Sequence, residues 1–352
     1  MEGAEWPEPV VRVQSLSESG GATIPERYVK PEAERPALVA AESEAEGGGG
    51  REGIPVVDLS SPCDPETARA VSEACREWGF FQAVNHGVPG ELLRRARGVW
   101  RGFFHQPMEV KQRYANSPVT YEGYGSRLGV EKGAVLDWGD YYFLHVRPPH
   151  LLSPDKWPHL PHELRETTEE YSREVAALCG RLMAAMSLGL GVGEARLQEA
   201  FGGAEGTGVC VRVNYYPRCP QPELTLGLSS HSDPGGMTVL LADDRVRGLQ
   251  VRHRGAWVTV DPVPDAFIVN VGDQIQRDRA AELPLIQKPD HVLHACSSSI
   301  FSHWVAGPDV LRCILLPPAI CCCFARIASV TGPPAPTTSS TAAARFPEGQ
   351  NC

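Results

Sequence analysis

The hydrophobic period of this chain changes once, near Gly208, and that change restricts its fold more than any other feature. Upstream, apolar residues recur at helical spacing. Ala68, Val71, Cys75 and Trp78 share one face, with Asp64 as N-cap, Pro65 at the first helical position and Gly79 at the end. The same reading predicts helices over about Glu91 to Gln106 and His162 to Leu190, and a further turn over Met108 to Tyr114. Short strands are predicted at Ile54 to Leu59 and Phe80 to Asn85. Downstream the period is two. Val209 to Tyr216, Thr238 to Leu241 and Phe267 to Val271 read as strands, and Leu249 to Arg252 with Trp257 to Val260 as a hairpin turning near Arg254. Helices first, then many short strands, predict an α+β chain with a β-sandwich or jelly-roll core.

Charge and cysteine usage narrow the function classes. The net charge is −10 and no run of Lys or Arg exceeds two, which argues against nucleic acid or an anionic membrane as partner. The longest apolar run, Cys313 to Ala325, is short and broken by proline, so no membrane span is expected. Met1 to Gly50 holds no apolar stretch of the signal-peptide kind. Five cysteines fall in the first 276 residues without metal-type spacing, which fits a reduced compartment, the cytoplasm or the nucleus. Oligomeric state is not legible.

Four stretches follow. Residues 1–52 read as a flexible extension, with Glu/Gly low complexity from Ala41 to Gly50. Residues 53–165 and 166–276 carry the ordered pattern. Residues 277–352 lose it: no strand alternation persists, and six of the 11 cysteines crowd there, three adjacent at Cys321 to Cys323. That composition resembles arbitrary coding, and the hypothesis is an intron or a shifted frame. A normally spliced exon running through codon 276 would refute it. The core is therefore expected to be incomplete at its C-terminal end. Three adjacent cysteines do not converge on one ion, so a zinc site is discounted.

Two motifs carry chemistry. On the strand from Cys210 to Tyr216, Val211, Val213 and Tyr215 share one face, and Arg212, Asn214 and Tyr216 share the other. The first face suits a core. The second is either an exposed surface or the wall of a polar pocket. Next comes His231-Ser232-Asp233, where an imidazole and a carboxylate two residues apart on an extended segment point the same way. The bland reading is a loop histidine beside a turn aspartate. The other is part of a non-haem iron site, whose usual set is two His and one carboxylate on one face.

The run Asn214-Tyr215-Tyr216-Pro217-Arg218 followed by His231-x-Asp233 resembles the plant 2-oxoglutarate/Fe(II)-dependent dioxygenases with the isopenicillin N synthase-like fold. Ile54 to Asp58, Trp78 to Gly87, Gly248 to Val251 and Asn270 to Asp273 extend the likeness. Val11 to Ser17, Tyr121 to Arg127 and Leu136 to Phe143 are similar to the jasmonate-induced oxygenases, which hydroxylate jasmonic acid. The resemblance implies a double-stranded β-helix core with an N-terminal helical and strand cap. It implies Fe(II) held by His231 and Asp233, and 2-oxoglutarate as co-substrate contacted by Asn214 and Tyr216; it admits ascorbate. Arg212 would face a small carboxylate substrate, with Tyr142 and Phe143 walling the pocket.

Two family parts lack their context. The distal histidine belongs to a Tyr-x-Ser-x-x-His-Arg run absent here; His291 and His294 stand near the right distance, behind Pro289. The Arg-x-Ser that holds the far carboxylate of 2-oxoglutarate has no clear counterpart after residue 276. The chain is thus expected to be a catalytically impaired oxidoreductase of this family. The rivals are a non-catalytic variant that at most binds a ligand or partner, and a flavonoid dioxygenase of the anthocyanidin synthase kind.

Overall fold

The computed structural model describes residues 10–36, 53–62, 64–117, 121–126, 133–244, 246, 248–276, 293–294 and 322–327. Helices come first: α1 (Val13–Glu18), α2 (Pro65–Glu77), α3 (Gly90–Phe104), α4 (Met108–Gln112) and the long α5 (Leu164–Gly189), with short α6 (Arg196–Ala200), α7 (Gly203–Gly206) and α8 (Asp273–Gln276). The strands are β1 (Val56–Asp58), β2 (Phe80–Val84), β3 (Gly123–Gly125), β4 (Asp140–Arg147), β5 (Gly208–Tyr215), β6 (Met237–Leu241), β7 (Gln250–His253), β8 (Ala256–Thr259), β9 (Phe267–Val271), β10 (Leu293–His294) and β11 (Cys322–Ile327). Asp64 caps α2 as anticipated, its carboxylate accepting from the Glu66 amide at 3.0 Å.

Two sheets form the core. One has the order β1-β2-β9-β6-β11-β5-β4-β3, the other β10-β7-β8. Alternation along the large sheet separates two environments. Phe81, Val211, Val213, Tyr215, Met237, Val239, Leu241, Phe267 and Val269 pack with the buried faces of α2, α3 and α5. On the opposite face Phe80, Ile268 and Leu240 meet Val251 of the small sheet and Leu249 just before it. This is the jelly-roll arrangement, with helices backing one sheet and a second sheet covering the other side. No described helix is long and apolar enough to cross a membrane.

The expectation that residues 1–52 form a flexible extension fails for 10–36. The Asp140 carboxylate receives the amides of Val13 (2.9 Å) and Gln14 (3.0 Å) and so caps α1 from 126 residues away or more. Tyr28 meets Trp138 edge to face at 5.3 Å. Lys30 is buried against Asp137 at 2.7 Å. A segment this short has too few apolar repeats to announce itself. Its partners lie far along the chain.

The expected loss of strands beyond Gln276 also needs correction. Backbone pairing places Cys322–Ile327 between β5 and β6, parallel to both. Leu293 and His294 pair antiparallel with Val251 and Gln250. The physical reason is that β5 and β6 would otherwise present bare ladder edges inside a sheet, and the run from Cys322 to Ile327 holds no proline or glycine. The remainder of 277–352 lies outside the described residues.

Candidate functional site

The face of the large sheet that looks away from the helices collects the polar side chains. Thr238 on β6 and Asn270 on β9 stand opposite each other in register, and both are buried. Each donates to Oδ2 of Asp233, Thr238 Oγ1 at 2.5 Å and Asn270 Nδ2 at 3.0 Å. Asp233 is almost fully buried, and a buried carboxylate needs such donors. With Oδ2 held, Oδ1 turns to His231, whose Nε2 lies 3.5 Å away.

The opposite nitrogen of that ring, Nδ1, sits 3.0 Å from the Ser229 carbonyl. A carbonyl only accepts, so Nδ1 carries a proton, and Nε2 is the ring nitrogen that faces Asp233 Oδ1. Two donor atoms at right angles on one ion, each at about 2.1 Å, would stand roughly 3 Å apart. The observed 3.5 Å is wider and corresponds to an angle of about 110° for donors at about 2.1 Å, so the His231–Asp233 corner has room for one divalent metal. Among the described residues no group of three His, Cys, Asp or Glu side chains converges on a metal position.

The loop that carries the corner is pinned from below. The amides of Gly272, Asp273 and Gln274 donate to the carbonyls of Gly236, Asp233 and Gly235 at 2.8, 2.7 and 3.1 Å. Gly272 is required by this close approach, since a Cβ there would fall 2.1 Å from the Gly235 oxygen.

Arg212 and Asn214 lie on the same face, on β5. Arg212 Nε donates to Asn214 Oδ1 at 2.8 Å, and its guanidinium lies 4.7 Å over the ring of Tyr141. Register on β4 sets Phe143 opposite Arg212 and Tyr141 opposite Asn214. Phe143 therefore shares the polar face, and Tyr142 does not. Tyr142 points into the helical core, 5.1 Å from Trp100 and 4.9 Å from Phe103, and its hydroxyl donates to the Lys156 carbonyl. Adjacent strand residues take opposite faces, so Tyr142 and Phe143 could not both wall one pocket. Tyr141 is the aromatic that the sequence reading missed. The register of β4 against Arg212 was the signal that could have found it.

Tyr216 follows β5, and its ring covers Gly139, where a Cβ would come within 3.0 Å of it. Gly139 belongs to a turn that ties the parts together. Trp138 N–H donates to the Leu226 carbonyl at 2.8 Å, and Trp138 Nε1 to that of Pro217 at 3.1 Å. Asp137 accepts from Lys30 and from Ser229 Oγ, each at 2.7 Å. Burial pushes the Asp137 carboxyl above the usual carboxylate range, and Lys30 is the chief influence opposing that rise.

Residues 54–160 match the family model of the N-terminal region of non-haem dioxygenase in morphine synthesis, and residues 207–282 match that of the 2OG-Fe(II) oxygenase superfamily. The chain is 57% identical over 276 residues to jasmonate-induced oxygenase 1 of Arabidopsis thaliana, covering 78% of this chain and 68% of that protein. It is 42% identical over 264 residues to flavanone 3-dioxygenase 2 of Oryza sativa subsp. japonica, covering 75% of this chain and 74% of the relative. A crystal structure of JOX2 in complex with 2OG, Fe and JA superposes with a TM-score of 0.73 at 54% identity, over 84% of this chain and 82% of that one.

Proposed function

This chain belongs to the 2-oxoglutarate/Fe(II) oxygenase superfamily, and we propose that its pocket serves the hydroxylation of a small apolar carboxylate of the jasmonic acid type. One observation carries the substrate class. Arg212 stands on the same sheet face as the metal corner, bedded on Tyr141 and bonded to Asn214. A guanidinium offers a planar fork that suits a carboxylate, and Phe143 beside it offers apolar wall. The 57% identity to a jasmonate-induced oxygenase supports the same class.

His231 Nε2 and Asp233 Oδ1 would hold Fe(II), which when bound supplies the site at which oxygen is activated against 2-oxoglutarate. Asn214 and Tyr216 would contact the co-substrate. Thr238 and Asn270 keep the carboxylate turned toward the metal. Turnover by this chain is proposed to be low. The described residues offer iron two protein donors where the open facial arrangement uses three. Of the two tail histidines, His291 lies outside the described residues, and His294 is paired with Gln250 on the small sheet.

The test is calorimetric titration with jasmonic acid and with its methyl ester, run beside a succinate-release assay. Binding of the acid at least about tenfold tighter than the ester is expected, a difference of about 1.4 kcal/mol. Equal affinity would refute the role of Arg212. Succinate should not rise above a metal-free blank. Robust succinate formation that disappears in His294→Ala would show that the tail completes the metal site.

A further inference from the structure

Lys30 lies outside both matched family regions, yet it is 2% exposed and its ammonium group pairs with Asp137, which in turn accepts from Ser229 on the loop that leads to His231. Burying an ammonium is expensive unless it is paired. Its partner Asp137 is 9% exposed and takes Lys30 and Ser229 Oγ on the same oxygen, both at 2.7 Å. The backbone carbonyl of that serine is the acceptor for His231 Nδ1 at 3.0 Å. Four residues from three distant parts of the chain thus form one line that ends on the imidazole.

We propose that Lys30, Asp137 and Ser229 are positioning residues that hold His231 with its proton on Nδ1 and its Nε2 lone pair on the metal corner. The inference rests on the reading of His231 as a metal-facing residue. The chemistry is direct. A free histidine side chain in water prefers its proton on Nε2. With the proton there, Nε2–H would donate to Asp233 Oδ1, 3.5 Å away, and the corner would close on itself instead of receiving a cation. Keeping the proton on Nδ1 needs an acceptor fixed at that side of the ring. Ser229 O is that acceptor, and its hydroxyl anchors the residue to Asp137. Lys30 pairs with the buried Asp137 at 2.7 Å and opposes the rise that burial imposes on its carboxyl. Outer partners of metal-binding histidines fix tautomer and orientation in this manner.

The experiment uses the full chain, metal-free, at neutral pH, with histidine labelled in nitrogen-15. The His231 resonances are identified by their loss in His231→Gln. The Nδ1-protonated pattern is expected in the parent. Ser229→Ala cuts the anchor while leaving the Lys30–Asp137 pair intact, so the protein should remain folded by circular dichroism and the ring should move toward the Nε2-protonated pattern. Ser229→Thr keeps a hydroxyl and should restore the parent pattern. Lys30→Met should act as Ser229→Ala does, and if it fails to fold, the serine pair still decides the matter. Titration with Co(II) is the second readout, with affinity expected to fall roughly tenfold or more in Ser229→Ala. A parent with its proton on Nε2, or a folded Ser229→Ala with an unchanged spectrum, overturns the proposal. A tautomer that shifts while no variant and no parent binds Co(II) upholds the positioning line and removes the metal reading instead.

Discussion

At the scale of single residues, the site is held by donors that a local motif does not reveal. His231 and Asp233 were legible because their spacing is local. Thr238 and Asn270 were not, because they come to Asp233 through pairing of β6 with β9. Thr238→Val keeps the shape and removes one donor from a buried carboxylate. A loss of about 1–3 kcal/mol in urea unfolding is expected, and an unchanged midpoint would show that water replaces the hydroxyl. His86 gives a pH signature. Its Nδ1 accepts from the Val88 amide at 3.1 Å and its Nε2 bonds the Asp265 carbonyl at 2.8 Å, an arrangement only the neutral ring can keep. Burial lowers its pKa below the ordinary imidazole value of 6.5. The unfolded chain therefore binds the proton first on acidification. The contribution is complete above pH 6.5 and is lost as pH falls through the lowered value. Stability should decline from neutral pH into the mildly acidic range, and His86→Gln should flatten part of that slope. Parent and variant slopes that coincide would remove His86 from the account.

At the scale of elements, the sequence announced what repeats and missed what reaches. The long helix α5 and the strands after Gly208 carry their period over enough residues to be read directly. Tyr142 was set on the wrong face because β4 was not recognised as a strand. Once the register of Phe143 against Arg212 is known, alternation decides the matter. The segment 10–36 was missed for another reason. α1 has six residues, and its cap comes from Asp140 on β4. Asp140→Ala removes that cap and the acceptor for the Tyr124 hydroxyl, which donates to it at 3.0 Å. The combined loss should be about 2–4 kcal/mol. The sharper observable is limited proteolysis, with new cleavage before residue 36 expected while the sheets remain protected. A variant as resistant as the parent would show that Tyr28 and Lys30 suffice to hold the segment.

For the whole molecule, both sheets depend on residues beyond the recognisable core. A chain ending at Gln276 would lose β11 and leave β5 and β6 with facing, unpaired edges at the centre of the large sheet. Open edges invite association between molecules. The truncated chain should elute as aggregate in size-exclusion chromatography and exchange its β5 and β6 amides faster than the full chain. A monomer with unchanged exchange would mean that β11 adds nothing to the sheet. The fold class was legible because it follows from the order of helices and strands. The closing strand was not, because six residues that pair with distant partners leave no periodic trace.

The burial of Lys30 has a consequence in time. Its partner Asp137 lies 107 residues further along, and the cap for Val13 lies 127 residues further along. A chain made at about 5–20 residues per second must carry this charged segment in water for several seconds before either partner has been synthesised. A segment that leaves the ribosome well before its partners is thus among the last to dock. A bulky fusion at the N-terminus acts on that final step, so an affinity tag placed there should slow completion of the native state more than the same tag at the other end.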